Sequence, residues 1–487
     1  MAKKCVAIVL SGGISLGAYT AGVLDELLRA FFTASDEYEI DIITGASAGA
    51  VNAALVAYGL LYKGGNVDLY KFWTELIDIN DMLVSNTDKS EPLSLLDSIH
   101  LLSTIEYMLG SRTAEEPVTR SVLCSRQLTL AATITNTTAL PYPSNNKLAI
   151  QHRNSEQETF YLDAATLPSD KLWQRIARVA LASLTIPFIF PLVSLQRHVG
   201  EDSDDRQYIH KPVFQGLRRF WYFDGGMFSN LPLDLALYHC HKDERSPKDR
   251  IVIIVNGWQN EFVLLKNDPI YPTLAAYMLS LHGAIKRENT AWQINTAINS
   301  ANILIRNSDT REIPIENASS LEDMPEVSSL GYEALASLVF ISPRQEDGPL
   351  KGLYLHTLSG LFDQRFRQYD FQRGSADGRR VATEVLGIPY SSDRPREFYL
   401  PNENPSISYD ISHYSALRGI RSTRNPNRTV LDIFEDALDV RLAYLINRVD
   451  LSSLPTLFVA AIRSGLLTPL IKRNIHRQLD ETWSYSS

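Results

Sequence analysis

The first sixty residues alternate short apolar runs with longer amphipathic ones. Residues 6–10 and 40–45 are predominantly apolar segments of strand length, which is typical of strands buried on both faces of a sheet. Residues 15–32 and 47–61 carry apolar positions at helical spacing. Strand, helix, strand, helix in this order predicts an α/β fold with a mostly parallel sheet and helices on its faces.

The same apolar signature predicts four further strands along the chain. They cover residues 128–135, 221–226, 250–257 and 337–342. Polar stretches between these strands have the composition of loop insertions. These insertions are predicted at residues 85–97, 111–120 and 200–207.

After residue 258 the pattern becomes mainly helical. Apolar positions at helical spacing predict helices over residues 273–298, 429–449 and 456–479. Residues 393–415 are rich in proline, asparagine and serine, which favours a connector. We therefore expect an α/β domain over residues 1–258 and a mainly helical region over residues 259–487 that packs on it.

Composition and charge narrow the class of protein. The chain has 487 residues, of which 45% are apolar and 21% charged, as in ordinary globular proteins. A net charge of −9 does not favour binding to nucleic acid, and it gives no general attraction to anionic membranes. Cys5, Cys124 and Cys240 are too widely spaced for a disulfide framework or a zinc site, which favours a reducing, cytoplasmic location.

Two apolar stretches resemble targeting or membrane segments. Residues 5–10 are shorter than a signal-peptide core and run into glycines, so we interpret them as a buried strand. Residues 179–195 fall just short of a membrane-spanning helix and contain Pro187 and Pro191. They are predicted to form a buried helix followed by an extended apolar loop, and neither a signal peptide nor a transmembrane helix is expected.

The first candidate catalytic residue is Ser47, in the sequence Gly45-Ala46-Ser47-Ala48-Gly49. This GxSxG pattern lies where a predicted strand ends and a predicted helix begins, which is the context of a nucleophile elbow. Such a turn strains the serine backbone and leaves little space for neighbouring side chains, which accounts for Gly45 and Gly49. The alternative that remains open is a tight turn in which Ser47 is only the N-cap.

A glycine-rich loop follows the first predicted strand. The backbone amides of Gly12, Gly13 and Ile14 are candidates for binding a developing oxyanion. The GxGxxG spacing of dinucleotide sites is absent, and so is the lysine of a P-loop. A purely structural glycine turn remains the alternative.

A candidate acidic residue ends the strand predicted near residue 221. Asp224 precedes Gly225 and Gly226, with Asn230 and Pro232 farther on. Active sites of open α/β sheets form at the carboxyl ends of strands, so the glycine loop, Ser47 and Asp224 are expected to converge there. The alternative is an ordinary Asp-Gly turn.

Four blocks in this order resemble the patatin-like phospholipase family, also called lipid acyl hydrolases. They are "SGGISLGAYTAGVL" (11–24), "GASAGAVNA" (45–53), "ARVALASLTIPFIFP" (177–191) and "DGGMFSNLPLD" (224–234). A weaker similarity joins residues 362–378 to some larger bacterial patatin-related proteins. The resemblance implies a three-layer patatin-like fold whose first 258 residues form the catalytic domain.

The resemblance also implies a mechanism. Ser47 is then the nucleophile and Asp224 its base in a Ser-Asp dyad, with Gly12, Gly13 and Ile14 as the oxyanion loop. The expected activity is release of fatty acids from phospholipids or other acyl lipids at a transiently bound membrane surface, without cofactor or metal. This sequence departs from the family at Ile14, where a third glycine is usual, and at Leu16, where arginine is common.

The neighbours of these residues suggest how the chemistry is supported. Apolar side chains beside Asp224 are expected to shield it, and residues 179–195 are expected either to form an acyl-chain wall or to be plain core. The shielding side chains are Phe223, Met227 and Phe228. The predicted helix 456–479 is basic and apolar, and either docks at a lipid interface or packs on the protein.

Two alternatives of different kinds remain. A Ser-His-Asp triad would use His239, His241, His282 or His356, of which the first two are expected on a helix surface. A metal site at "HCH" (239–241) lacks further ligands at suitable spacing. The second alternative is a lipid-binding or regulatory protein on a patatin fold, with an occluded site that a protein or small-molecule activator opens.

Overall fold

The protein was analysed as a computed structural model. It describes residues 3–82, 94, 96–110, 119–143, 150–165, 167–187, 189–199, 216–242, 250–258, 305–307, 312–313, 337–344, 347, 350–353, 357–389, 421 and 427–436. The predicted helices 273–298 and 456–479 and the connector 393–415 lie outside these residues, as does the insertion 200–207. Of the predicted helix 429–449, residues 430–436 are described and are helical.

Strands and helices alternate through the first part of the chain. The described strands are β1 (Lys4–Leu10), β2 (Tyr38–Gly45), β3 (Cys124–Pro143), β4 (Ile150–Asp163), β5 (Val193–Val199), β6 (Gly216–Asp224), β7 (Arg250–Val255), β8 (Ile305–Asn307), β9 (Glu312–Ile313) and β10 (Ser337–Ile341). The described α-helices are α1 (Gly17–Thr33), α2 (Ala48–Tyr62), α3 (Ile79–Met82), α4 (Ile99–Leu109), α5 (Asp170–Leu184), α6 (Leu233–Lys242), α7 (Ser359–Phe362) and α8 (Gln364–Arg380). Short 3₁₀ and π turns cover Ile14–Leu16, Lys71–Leu76, Gly225–Met227, Lys351–Leu353 and Val381–Val385.

The described strands form one mixed sheet. Its order is β5-β6-β3-β2-β1-β7-β10-β8-β9, and β4 pairs with β3 outside this path. Neighbouring strands from β3 to β8 in this order are parallel, so the predicted mostly parallel sheet is confirmed. Because β10 pairs with β7, the sheet continues beyond residue 258, and the division into two domains stays a prediction.

The two faces of the sheet bury separate apolar clusters. On β1, Val6 and Ile8 face the large cluster that contains residues of α1, α2 and α5. Ala7 and Val9 face the smaller cluster, which α6 completes. Successive side chains of a strand point to opposite faces, so a strand buried on both sides contributes to both clusters. The fold therefore has three layers, with the sheet in the middle.

Strands β4 and β5 differ from the sequence pattern, which does not predict them. Their inward polar side chains are paired: Arg197 of β5 forms buried ion pairs with Glu156 and Glu158 of β4. Segment 179–195 follows its prediction, since α5 is succeeded by a loop that leads into β5 at Val193. The helix begins earlier than predicted, with Ser169 accepting a hydrogen bond from the Leu172 amide as its N-cap.

Helix α8, from the C-terminal part of the chain, lies directly along α1. A Cβ on Gly22 would approach the Phe371 carbonyl oxygen to 2.0 Å, and one on Gly374 would approach that of Tyr19 equally closely. The Tyr19 hydroxyl donates to Asp377 Oδ2 at 2.9 Å. Glycine at both crossing points therefore lets the two backbones meet. Within the described part of the chain, no helix combines the length and apolarity needed to cross a bilayer.

Candidate active site

Ser47 occupies a strained turn between β2 and α2. Its φ of 54° and ψ of −126° lie in a region that side chains rarely adopt. A Cβ on Gly45 would lie 2.4 Å from the Gly49 carbonyl oxygen, and one on Gly49 would lie 2.4 Å from that of Leu10. Even a methyl group is thus too large at both glycines. The strained turn that GxSxG predicts is confirmed.

The Ser47 hydroxyl does not cap helix α2. Ser47 is the N-cap residue by position, but its side chain makes no capping hydrogen bond. Its Oγ is buried and has no hydrogen-bond partner in the described part of the chain. The backbone amide of Ser47 donates instead to Ser183 Oγ at 2.7 Å. Ser47 therefore lies at the N-cap position without the side-chain hydrogen bond by which a serine stabilises a helix start.

Asp224 ends β6 and is fully buried. Its Oδ1 accepts a hydrogen bond from the Gly226 amide at 2.8 Å, which orients the carboxylate. Its backbone is fixed on both sides, since its amide donates to Thr185 O and its carbonyl accepts from Thr135 Oγ1, both at 2.8 Å. Of the side chains expected to shield Asp224, Phe228 is 44% exposed, whereas Phe223 and Met227 are half-buried.

The sheet register places Ser47 and Asp224 at the same end of the sheet, after β2 and at the end of β6, which flank β3 on opposite sides. Gly45 of β2 pairs with Ala132 of β3, and Asp224 pairs with Ile134 two residues farther along β3. Strand geometry separates those two β3 positions by roughly 7 Å, and β2 from β6 by two strand spacings of about 4.8 Å each. The end of α5 bridges the pair as well, because Ser183 binds the Ser47 amide while Thr185 binds the Asp224 amide.

The glycine loop contacts the serine, but its donors differ from the expected set. A Cβ on Gly12 would lie 2.7 Å from Ser47 Cβ. The Gly12 amide donates to the Asn230 carbonyl oxygen at 3.0 Å, and the Gly12 carbonyl accepts from Trp258 Nε1 at 2.7 Å. Gly12 is therefore not a free oxyanion donor in this conformation. Glycine is required at position 12 because the loop passes so close to Ser47 that a Cβ would not fit.

Three other amides near Ser47 remain available. The amides of Gly13, Ile14 and Ala48 donate to no acceptor among the described residues. Ala48, which follows the nucleophile, was not among the sequence-based candidates, although the residue after the serine supplies a donor in nucleophile elbows. Ile14 has a φ of 45°, which explains why a glycine is the usual residue at this position of the resembled family.

Asn230 is a polar neighbour whose position the sequence did not reveal. Its Oδ1 is buried without a hydrogen-bond partner in the described part of the chain, and it lies 2.6 Å from where a Cβ on Gly12 would be. Ser47 Oγ and Asn230 Oδ1, two unsatisfied buried oxygens, therefore flank Gly12. Unsatisfied buried polar atoms are uncommon and concentrate where ligands or chemistry act.

Among the described residues, no histidine forms the hydrogen bond to the Ser47 hydroxyl that a Ser-His-Asp triad requires. His239 was expected on a helix surface, but it is buried. Its ring lies 5.2 Å from that of Tyr238 and 6.0 Å from that of Tyr161. Its ring does not bind Ser47, whose hydroxyl has no partner in the described chain. His282 and His356, and the side chain of His241, lie outside what is described. Among the described residues, no three His, Cys, Asp or Glu side chains form a metal-binding group.

A narrow apolar cavity adjoins the oxyanion loop. Its walls include Ile14 of the loop, Val51 of α2 and Trp73. Leu184 and Phe190, from the apolar segment 179–195, line it as well. The lining is entirely apolar, and the enclosed space holds no more than about one water-sized molecule in this conformation.

Comparisons with known proteins agree with this architecture. A serine at a strained turn, at the carboxyl ends of the strands of a mostly parallel sheet, is the arrangement of a nucleophile elbow in an α/β protein. Residues 8–237 match the family model described as Patatin-like phospholipase. The resemblance that the sequence motifs indicate is therefore confirmed over this part of the chain.

Other comparisons add little. No curated protein matches the chain. Among solved structures, the crystal structure of VipD from Legionella pneumophila aligns with 99% of this chain and 89% of its own, at 12% identity and a TM-score of 0.31. A similarity this loose supports no argument about function.

Proposed function

We propose that the protein is a serine acyl hydrolase of the phospholipase A or lysophospholipase type. It releases fatty acids from membrane lipids through an acyl-Ser47 intermediate. The observation that carries the proposal is the Ser47 hydroxyl, which is held at a strained turn, buried and unsatisfied, at the end of the sheet where β6 ends in Asp224. Strain and an unpaired buried hydroxyl together indicate a reactive group and not a structural one.

In the first half of the proposed reaction, Ser47 Oγ attacks the ester carbonyl carbon while Asp224 takes the hydroxyl proton. The carbonyl oxygen becomes an oxyanion, for which the Gly13, Ile14 and Ala48 amides are the available donors. Asp224 returns the proton to the leaving alcohol oxygen as the C–O bond breaks. The products are acyl-Ser47 and the deacylated alcohol, which is a lysophospholipid when the substrate is a phospholipid and a glycerophosphodiester when it is a lysophospholipid.

In the second half, water attacks the acyl carbon and gives its proton to Asp224. The second oxyanion uses the same amides and collapses to a free fatty acid, and the proton returns to Ser47 Oγ. No Ser47–Asp224 hydrogen bond forms in this conformation, since Ser47 Oγ has no partner among the described residues. Catalytic hydrogen bonds often tighten only with substrate bound.

The proposed substrate is an acyl lipid because residues 8–237 match a phospholipase family. The cavity beside the loop is apolar but holds no more than about one water-sized molecule in this conformation. An acyl chain bound beside Ile14 would therefore have to widen it.

A transient membrane contact belongs to the same proposal. Leu217, Arg219 and Trp221 lie at alternate positions of β6, so they share one face of the strand that ends at Asp224. Leu217 and Trp221 are each 52% exposed, and Arg219 is exposed between them. An exposed apolar face with a cation fits a lipid surface with anionic headgroups. The three cysteines, all buried and free, fit action in a reducing compartment.

The membrane contact is tested with Trp221→Ser and, as a matched control, Tyr107→Ser on α4, where the tyrosine is 56% exposed. Trp221→Ser is expected to lower hydrolysis of anionic phospholipid vesicles several-fold while leaving a soluble short-chain ester unaffected. Equal vesicle activity in the two variants contradicts the assignment of this face.

The activity is tested by fatty-acid release from phospholipid vesicles and by hydrolysis of a short-chain nitrophenyl ester. Ser47→Ala and Asp224→Asn are each expected to lower kcat by about 10³-fold or more, as removal of a nucleophile or its base does. Ser103→Ala and Asp36→Asn, at exposed positions, are the controls and keep wild-type rates. Full activity in either dyad variant contradicts the proposed mechanism.

One observation favours the second candidate, a lipid-binding or regulatory protein with an occluded site. Ser47 and Asp224 are both completely buried. A wild-type protein that hydrolyses neither substrate but binds the vesicles would support this candidate. An added protein or small-molecule activator that restores hydrolysis only when Ser47 is present would reconcile the two.

A further inference from the structure

The oxyanion loop is anchored by residues outside the domain that matches the patatin-like family. Ser15 follows Ile14, is completely buried, and donates from Oγ to Thr357 O at 2.7 Å, with Gly352 O at 3.2 Å. Thr357 and Gly352 lie more than a hundred residues beyond the family match, which ends at residue 237. We call residues 350–353 and 357–361 the clasp.

The clasp fits closely against the loop. A Cβ on Gly360 would lie 2.6 Å from Ser15 Cβ, and one on Gly352 would lie 2.7 Å from Ser15 Oγ. Leu16 Cδ2 lies 3.2 Å from the same Gly352 position. Both glycines are required by this close approach, so the two segments have complementary shapes.

Helix α8 holds the clasp in place. Asp370, fully buried, accepts the amides of Lys351 and Gly352 at 2.6 and 2.7 Å with its two carboxylate oxygens. Arg367 donates from Nη1 to Gly360 O at 2.6 Å. Helix α8 itself packs along α1, so the chain of contacts leads from α8 through the clasp to Ser15.

The loop needs such support because of Ile14. A β-branched residue at a φ of 45° costs roughly 1–3 kcal/mol and persists only where its surroundings over-determine the backbone. Within the loop, the Leu16 amide donates to Gly13 O at 2.9 Å, which closes the short turn but does not fix it to the rest of the protein. The nearest such fixed points after Ile14 are the clasp contacts of Ser15.

We propose that Ser15 and Asp370 are positioning residues for the oxyanion loop, which the clasp keeps in its strained conformation so that the Ile14 amide meets the transition state. This inference rests on the proposed acyl-hydrolase function. It assigns a catalytic support role to a part of the chain that the family match does not reach. A merely structural clasp would change stability without changing the chemical step.

The test compares Ser15→Ala and Asp370→Asn with Asp377→Asn, a matched control on the same helix. Asp377 is also buried and binds Tyr19, but it does not touch the clasp. The first two variants are expected to lower kcat on a soluble ester roughly tenfold with KM unchanged, a fraction of the 10²–10³-fold that loss of an oxyanion donor causes. Asp377→Asn is expected to lower the melting temperature but not kcat.

Ser15→Ala carries the test if Asp370→Asn does not fold. The change is made in two backgrounds, Ile14→Gly and Ile14→Ala, which both lack the isoleucine side chain. Glycine adopts a positive φ without strain, so loss of the Ser15 hydroxyl should lower kcat less in the glycine background than in the alanine background. Equal losses in both backgrounds, or a fall in kcat that only follows the melting temperature, overturn the proposal.

Failure of the clasp and failure of the proposed function give different results. If the wild type is active and Ser15→Ala and Asp370→Asn keep its kcat, the clasp proposal is wrong and the function stands. If the wild type shows no Ser47-dependent turnover, the function is wrong, and amide hydrogen exchange of residues 13–16 decides the clasp. Faster exchange there in Ser15→Ala than in Asp377→Asn supports the anchoring, and equal exchange contradicts it.

Discussion

Two turns at the carboxyl edge of the sheet hold a non-glycine residue at positive φ, Ser47 at 54° and Ile14 at 45°. The Ser47 turn is held by segments within the part of the chain that matches the family model: Gly49 lies against the Leu10 carbonyl of β1, and the Ser47 amide binds Ser183. The Ile14 turn is followed by the Ser15 hydroxyl, which binds carbonyls 337 and 342 residues away, beyond that match. Strain of the same kind is therefore stabilised from inside the matched region in one turn and from outside it in the other.

The difference suggests separate responses to change. The Ser47 turn is set by close backbone contacts, and it fails when a side chain is added at Gly45 or Gly49. A turn held at long range depends on the packing of α8 on α1 and on every link between them. The oxyanion loop is then the adjustable half of the site, and the nucleophile turn is the rigid half.

The largest effect is expected at the Ser47 turn. Gly49→Ala places a methyl group 2.4 Å from the Leu10 carbonyl oxygen, which the turn cannot accommodate. We expect loss of soluble folded protein, or a fall in kcat of about 100-fold or more in any that folds. Gly387→Ala is the control for crowding, since that glycine has a positive φ, which Gly49 lacks, but no neighbour within 4 Å, so alanine there adds backbone strain without a collision. Similar behaviour of the two variants, measured by ester turnover and circular dichroism, would show that crowding does not define the Ser47 turn.

A smaller effect is expected on the pH dependence of the free energy of unfolding, through Asp370, which binds the clasp. Burial raises the pKa of Asp370 from 3.8 to about 7, outweighing the Gly352 and Lys351 amides and the charges of Lys351 and Arg373, which lower it. Between these values the folded chain keeps a proton that the unfolded chain has released. The free energy of unfolding therefore falls as pH rises from about 4 to 7, by about 1.4 kcal/mol per pH unit for this one group.

Asp370→Asn should remove that part of the pH dependence, which urea unfolding at a series of pH values measures. Asp25, whose pKa burial raises to about 6 although Arg29 opposes it, contributes a slope of the same sign that remains in the variant. An unchanged slope in Asp370→Asn would mean that Asp370 does not titrate in this range.

The smallest effect isolates the strain at Ile14. Ile14→Gly and Ile14→Ala both lose the buried side chain, so their difference reports the backbone alone. Because φ is positive, the glycine variant should be the more stable by about 1 kcal/mol, the reverse of the usual order. Thermal unfolding of the two variants measures this difference. Greater stability of the alanine variant would place residue 14 outside the left-handed region.

The same contrast explains what the sequence can predict. Strands β1, β2, β7 and β10 are recognisable because burial on both faces demands continuous apolar residues. Strands β4 and β5 are polar and depend on the Arg197 ion pairs with Glu156 and Glu158, partners that no local pattern identifies. The sequence indicates helix α8 only through a weak similarity over residues 362–378. Its contact with α1 depends on close packing at two glycines.

The candidate site divides in the same way. Ser47 and Asp224 lie in short motifs whose spacing reports a local turn, so the sequence places them. The hydrogen bond from Gly12 to Asn230 and the contacts of Ser15 join segments 218 and more than 330 residues apart. No periodicity or spacing encodes these pairings, and only the folded chain reveals that Gly12 is occupied as a donor.

The most direct measurement of the central claim is covalent labelling by a fluorophosphonate ester, followed by mass spectrometry of the digested protein. The probe reacts only with a serine that loses its proton during the attack. The account predicts one adduct, on the fragment that contains Ser47, in the wild type and almost none in Asp224→Asn. An adduct on another residue, or equal labelling of Ser47 without the Asp224 carboxylate, would contradict it.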